Sequence, residues 1–319
     1  PDGVGDDLAR HGIEWIVGQH RTHQAAVEAA HASDVVMIQS ARQLLTGSVI
    51  KQLDRCRCIV RLGTGYDNVD VAAATRQGIL VCNTPNYCVD DVADHALALL
   101  MEGVRHIARQ DRWIRDGRWD RTGARPARRT KGCTMGFVAF GRIARALAER
   151  VSGFDMTLLG YDPYLDAEAM ARCGVEKVDL DELLRRADFI SVHCPLTDQT
   201  HHLLSTREFG LMKEGVFLIN TSRGPIIDEA ALVGALRSGK VWGAGLDVFE
   251  HEPLPLDSVL REFDNVTFTP HVGANSLESV VDVYQAGCQI AVDVYQGRWP
   301  PWVVNPDAES RTAYSYQKD

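Results

Sequence analysis

Three short segments in the second half of the chain each carry one polar residue suited to the chemistry of an α-keto acid: Arg223 in NTSRGPIIDE, Glu252 in GLDVFEHEP and His271 in FTPHVGA. A guanidinium is a planar fork that grips a carboxylate through two parallel hydrogen bonds, so Arg223 is the candidate for holding a 2-keto or 2-hydroxy acid by its carboxyl end. Histidine can give and take a proton near neutral pH, which suits His271 to protonate a ketone oxygen as hydride reaches the carbon and to reverse that step. A carboxylate beside an imidazole fixes its tautomer, the role open to Glu252 if the fold brings the two together. The three residues are the parts of a hydride-transfer site.

Singly, each has an ordinary explanation. Arg223 can cap a strand end, Glu252 can be a solvated turn residue before Pro253, and His271 after Pro270 can be a satisfied loop histidine. Context decides for the chemistry. FLINTSRG, GAGLDVF and NVTFTPH read as buried strands that run directly into polar loops. In doubly wound sheets the ligand crevice lies at the carboxyl ends of the strands, so three strand ends bearing Arg, Glu and His point at one place.

In order and spacing these motifs resemble the D-isomer-specific 2-hydroxyacid dehydrogenase family, which includes 3-phosphoglycerate dehydrogenase, glyoxylate and hydroxypyruvate reductases and the C-terminal-binding corepressors. The likeness runs from Ile59 to Pro306. It implies an α/β chain of two doubly wound parallel-sheet domains, a Rossmann-type NAD-binding domain inserted into a flavodoxin-like substrate domain. It also implies that Arg223, Glu252 and His271 are the catalytic residues. The rhythm along the chain is compatible with this layout. DVVMIQS, CRCIVRLGTG and ILVCNTP alternate with helical stretches, and a second series begins at TMGFVAFG. Residues 1–91 and 277–319 are expected to form the substrate domain and 92–276 the NAD-binding domain. One long helix from Val89 to Asp116 would bridge them, and a last helix near Ser276 to Gln296 would carry the chain back.

GFVAFGRIARALAERV has the strand, turn and helix context that a dinucleotide fingerprint requires. Its spacing puts the fingerprint at Ala139, Gly141 and Ala144, so the usual GxGxxG reads AxGxxA. The central glycine lets backbone approach a pyrophosphate, and alanine at the third position is an accepted variant. Ala139 is the departure: its methyl strains the turn if the backbone there needs positive φ. Asp162 lies 21 residues beyond Gly141 (162 − 141), at the end of MTLLGYD. A carboxylate there accepts from ribose hydroxyls and repels a 2′-phosphate, which favours NAD over NADP.

The resemblance implies further contacts. Arg142 and Ile143 would lie at the pyrophosphate, Cys194, Pro195 and Thr200 at the adenosine, and Thr221, Ser222 and Arg223 along the crevice. Asp247 would meet the nicotinamide carboxamide, with Gly273 and His271 beside the ring. Leu62, Gly63 and Thr64, in RLGTGYDNVD, match the family loop that receives the substrate carboxylate together with Arg223 and His271. A tight glycine turn accounts for Gly63 and Gly65 equally well.

The 319 residues suffice for two medium domains, and a formal net charge of -9 argues against nucleic acid or an anionic membrane as principal partner. No apolar run approaches the ~20 residues of a membrane span, and no signal-peptide pattern opens the chain; a cytoplasmic protein is expected. The eight cysteines are scattered through apolar surroundings, as reduced core residues would be, and no metal site is expected. PDGVGDDLARHGIEW is not preceded by a strand-like run, so the first strand of the α/β rhythm is expected to be missing. The arginine-rich stretch from Arg105 to Lys131 is interleaved with Asp111, Asp116 and Asp120, as solvated or subunit-contact ion pairs would be. The resemblance makes it part of a homodimer interface, with Trp113 and Trp119. The tail from Asp307 is expected to be loose. The leading reading is an NAD-dependent D-2-hydroxyacid dehydrogenase with a small 2-keto or 2-hydroxy acid as substrate. The alternative is an NAD(H)-sensing, corepressor-like interaction protein of the same fold.

Overall fold

The computed structural model describes residues 3–40, 42–121 and 127–318; positions 122–126 of the arginine-rich stretch lie outside the described residues. Two compact units emerge, Pro1–Cys88 with Asn275–Asp319, and Val89–Ala274, a few residues from the expected boundaries at 91/92 and 276/277.

The first unit holds a parallel sheet of β1 (Val35–Ile38), β2 (Cys58–Arg61) and β3 (Leu80–Asn83), in that order. The strands β2 and β3 are apolar at almost every position because both faces are covered. Ile59 and Val81 pack with Ile50 and Ala74 on one face, while Cys58, Val60, Leu80 and Cys82 meet Ile290 and Val294 on the other. The last two belong to the helix Leu277–Tyr295, whose start is fixed by Ser276 accepting from the Ser279 amide at 2.8 Å. Each such Leu or Ile, fully buried, contributes roughly 1.5–3 kcal/mol. Among the described residues no strand precedes β1.

The tail departs from expectation. Its residues Pro306–Arg311 form a 3-10 turn, the Trp299 amide donates to Gln317 O at 2.7 Å, and the Tyr316 ring meets Trp299 edge-on. Two aromatics give this polar segment an apolar anchor that its composition hides.

The second unit is built on β4 (Thr134–Val138), β5 (Thr157–Tyr161), β6 (Glu176–Lys177), β7 (Phe189–Val192), β8 (Val216–Asn220), β9 (Val241–Leu246) and β10 (Val266–Phe268). Their spatial order is β10-β9-β8-β7-β4-β5-β6, with neighbours parallel. The chain steps from β4 outward through β5 to β6, then crosses back to β7 on the far side of β4. That reversal is a topological switch point, and the ligand crevice opens at the carboxyl ends there. One core lies on each face, around Met135, Phe137, Leu147 and Phe217 on one side and Ile190, Leu218, Leu183 and Leu232 on the other.

The single helix expected from Val89 to Asp116 is two, Val89–Arg105 and Ile107–Arg115. The break is His106, which adopts φ 56° with its ring against Trp242, 5.1 Å between centroids. Glu102 spans the break, its carbonyl accepting from the His106 amide and its carboxylate from the Ala108 amide at 2.9 Å. The apolar periodicity continues across this position, so it conceals the break. No described helix is long and apolar enough to cross a membrane.

Candidate active site

Six strand ends of the second unit carry the candidate residues. At the end of β8, buried Asn220 shapes the loop through both ends of its amide: Nδ2 donates to Arg223 O at 2.9 Å, and Oδ1 accepts from the Ser222 amide at 3.0 Å. Ser222 Oγ donates to Val192 O at 2.6 Å, and Arg223 Nη1 donates to Ser222 O at 2.7 Å. Gly224 follows. A Cβ there would fall 1.8 Å from the Phe249 carbonyl carbon, so only glycine lets the loops after β8 and β9 touch.

Glu252 sits on the loop after β9. That loop is stapled to the helix Glu229–Ser238 by reciprocal bonds, Glu250 N to Glu229 Oε1 at 2.6 Å and Glu229 N to Glu250 Oε1 at 3.1 Å. Glu252 Oε1 accepts from the Phe249 amide at 3.1 Å, and Oε2 lies 2.8 Å from His271 Nδ1. Burial pushes the Glu252 carboxyl up. The bond and charge of His271, the Phe249 amide and the Arg223 charge outweigh that and hold it below its usual range. With Nδ1 directed at a carboxylate, His271 keeps Nε2 for proton exchange.

His271 itself follows β10 in a left-handed turn, φ 54°. Asp247, at the end of β9 and 2 % exposed, holds that turn. Its carbonyl accepts from the His271 amide at 2.8 Å, Oδ1 from the Val272 amide and Oδ2 from the Gly273 amide, both at 2.9 Å. Thr269 Oγ1 donates to Oδ1 at 2.6 Å. Burial raises the Asp247 carboxyl, but His95, Thr269 and the two amides together bring it below the usual carboxylate range.

The turn after β4 adopts the conformation that its sequence made costly. Ala139 has φ 67°. Its amide donates to Tyr161 O at 2.8 Å, and the Phe140 amide donates to Asp162 Oδ2 at 3.0 Å. Asp162 Oδ1 accepts from Tyr164 N at 2.9 Å, so this carboxylate also shapes its own turn. The helix Arg142–Val151 begins at Gly141 with no side-chain cap among the described residues, and a Cβ on Gly141 would meet open space. Uncapped first-turn amides beside open space can receive an anion.

After β7, Cys194 is buried, which pushes its thiol up to about 12, and Thr200 Oγ1 donates to Pro195 O at 2.6 Å. Thr221 Oγ1, after β8, is buried with no hydrogen-bond partner among the described residues. Leu62, Gly63 and Thr64 belong to the other unit, after β2. There the Gly63 amide donates to Thr84 Oγ1 at 2.7 Å, and Asn83 Nδ2 donates to Thr64 O at 2.7 Å.

Sequence reasoning missed Asn220, Thr269 and His95. Polar residues closing apolar strands could have suggested the first two. His95 gives no such signal, being one polar residue on a helix whose apolar positions face the core.

The family model for the D-isomer specific 2-hydroxyacid dehydrogenase NAD binding domain matches residues 97–273. The chain belongs to the D-isomer specific 2-hydroxyacid dehydrogenase family. A glyoxylate reductase of Thermococcus litoralis is 40 % identical over 83 % of this chain and 82 % of that protein. A hydroxypyruvate reductase of Thermotoga maritima is 39 % identical over 83 % of this chain and 85 % of that protein. Among solved structures, the TT0316 protein of Thermus thermophilus superposes with a TM-score of 0.86 at 31 % identity, covering 95 % of this chain and 97 % of that one. As a member of this family the protein is an NAD-dependent oxidoreductase acting on CH–OH groups. NAD fits the residues present: uncapped amides at Gly141–Arg142, the Asp162 carboxylate at the end of β5, and the Thr221 hydroxyl, unpartnered among the described residues.

Proposed function

We propose that the protein interconverts small 2-keto acids and their D-2-hydroxy acids with His271 as acid/base, Glu252 as its partner and Arg223 as the carboxylate anchor. The 2.8 Å bond between His271 Nδ1 and Glu252 Oε2 carries this reading, because it turns two loop residues into one proton-transfer unit. NAD supplies or accepts the hydride at C2. In the reductive direction Arg223 holds the carboxylate by its planar fork, and His271 Nε2 gives its proton to the ketone oxygen. Glu252, ionised because its carboxyl sits below the usual range, stabilises the charged imidazole beforehand. In the oxidative direction His271 takes the hydroxyl proton and Glu252 balances the charge that forms.

For the cofactor, we assign the pyrophosphate to the first-turn amides at Gly141, Arg142 and Ile143, the ribose hydroxyls to Asp162, and the adenosine border to Cys194, Pro195 and Thr200. Thr221 and Ser222 then line the crevice, with Asp247 and Gly273 near the nicotinamide. The names of the two reductases quoted above favour a short substrate of the glyoxylate or hydroxypyruvate kind. A homodimer suits the helix Ile107–Arg115, which buries no residue and exposes Ile107 and Ile114, with Trp119 beyond it 82 % exposed. Eight free cysteines suit a reducing, cytoplasmic setting.

The test is oxidation of NADH and NADPH by the purified protein across glyoxylate, hydroxypyruvate, pyruvate, phenylpyruvate and phosphohydroxypyruvate. NADH turnover with the small acids, and less with NADPH, is expected. Tight NADH binding with no turnover on any of them would overturn the reading.

A further inference from the structure

The His271 turn depends on Asp247, and Asp247 depends in turn on a residue far away in sequence. Thr269 Oγ1 lies 2.6 Å from Asp247 Oδ1 and 2.8 Å from His95 Nε2. A hydroxyl has one hydrogen. Facing an ionised carboxylate at 2.6 Å, it must direct that hydrogen to Asp247, and then it has only lone pairs for His95. The His95 nitrogen must therefore be the donor. The order is fixed as His95 Nε2–H to Thr269 Oγ1–H to Asp247 Oδ1, with His95 Nε2 itself 3.5 Å from the same carboxylate oxygen. From Asp247 the chain continues to the amides of Val272 and Gly273, the two residues that follow His271. The His95 ring also closes the turn from the side, for a Cβ on Gly273 would lie 3.4 Å from its Cδ2.

We infer that His95, on the helix Val89–Arg105, is a positioning residue that holds the His271 turn through Thr269 and Asp247. It does not exchange a proton with substrate. Its Nε2–H occupies a lone pair of the Thr269 hydroxyl, whose hydrogen goes to Asp247, and so fixes where that hydroxyl sits. The consequence for catalysis rests on the proposed role of His271; the consequence for the turn does not.

The experiment pairs steady-state kinetics with amide exchange at Val272 and Gly273 in the full chain, for His95→Leu, His95→Gln, His95→Asn and Thr269→Val. A glutamine amide reaches the place of Nε2 and keeps the donor, whereas asparagine reaches only that of Nδ1. In His95→Leu and His95→Asn, exchange at both amides should quicken and kcat fall by on the order of tenfold, the equivalent of one lost hydrogen bond, while KM for NADH stays within about twofold. His95→Gln should recover most of both. Adding His95→Leu to Thr269→Val should cost little more than Thr269→Val alone, since both remove the same link. Wild-type exchange and kcat in His95→Leu would overturn the inference. So would equal impairment of the Gln and Asn variants, which also decides the matter if the Leu variant fails to fold. If the wild-type protein turned over no 2-keto acid, the proposed function would fall, and the exchange rates would still decide whether His95 holds the turn.

Discussion

Two of the L-residues that the NAD-binding unit holds in the left-handed region, Ala139 at φ 67° and His271 at φ 54°, follow strand ends among the candidate site residues, and their turns are built very differently. Each conformation costs roughly 1–2 kcal/mol. Around His271, one buried carboxylate and its own carbonyl take the amides of three successive residues, and a threonine hydroxyl and a histidine stand behind them. Around Ala139 the turn's own amides make two bonds, Ala139 N to Tyr161 O and Phe140 N to Asp162 Oδ2, with open space where a Cβ on Gly141 would lie. On the proposed mechanism the difference follows from what each side chain is for. There the imidazole cannot be dispensed with, so the strain at His271 has to be over-determined by its neighbours. A methyl does no chemistry, and the turn bearing it is left free to meet a ligand.

The largest effect should come from removing the imidazole while keeping its turn. Asparagine tolerates the left-handed φ of 54° better than most residues, so His271→Asn should fold normally. On the proposed mechanism kcat drops by ~10²–10⁴, with NADH binding held within a few fold. Glu252→Gln should cost less, about 10–100-fold, because it loosens the imidazole without deleting it. Near-normal turnover in His271→Asn, measured with whichever 2-keto acid the wild type reduces, would remove the reason for the strain and with it the contrast between the turns.

Much of this site is legible in the amino-acid sequence. Buried strands announce themselves as apolar runs, and Arg223, Glu252 and His271 stand out because each follows one. Fingerprint spacing places the turn at Ala139 but leaves open whether its backbone takes positive φ, which the structure supplies. What cannot be read is whatever depends on side chains meeting across long separations. His95 and Thr269 are 174 residues apart, and no periodicity in the helix Val89–Arg105 marks one imidazole as turned toward β10. The same helix shows a second limit. Its apolar spacing runs on past His106, yet the Trp242 ring and the Glu102 carboxylate break it there. The order of the tail after Asp307 is hidden for a related reason: Trp299 and Tyr316 meet only once the chain has folded back.

A middle-sized effect is expected from Asp247→Asn, which tests how firmly the His271 turn is held. The amide can still accept at one position, but in either orientation its NH₂ faces the backbone N–H of Val272 or Gly273, leaving a buried donor unsatisfied at about 1–3 kcal/mol. The melting temperature should fall by several degrees at neutral pH. The acid side should change too. The carboxyl of Asp247 is held below its ordinary value of 3.8 in the folded protein, so its contribution is complete above that pH and is lost as the pH falls through the lowered folded value. Wild type should therefore lose stability below about pH 4 more steeply than Asp247→Asn. Parallel acid limbs for the two proteins in thermal melts would show that the carboxylate does not carry the turn.

The smallest effect concerns the other turn. Replacing Ala139 by glycine removes a methyl from a backbone at φ 67°, which relieves roughly 1–2 kcal/mol of strain, and lets the unfolded chain gain back about 0.5–1 kcal/mol of entropy. The net should be a gain between about 0 and 1.5 kcal/mol, a rise of at most ~3 °C in melting temperature for a chain of this size. Cofactor affinity should hold or tighten slightly, since the change also restores a glycine where the fingerprint has one. The sign matters more than the size. If Ala139→Gly melts lower than wild type while NADH binding is unchanged, the alanine is packed rather than strained, and its contacts with the core beneath β4 outweigh its backbone. Then the two left-handed turns differ not in how well their strain is contained but in whether there is strain to contain.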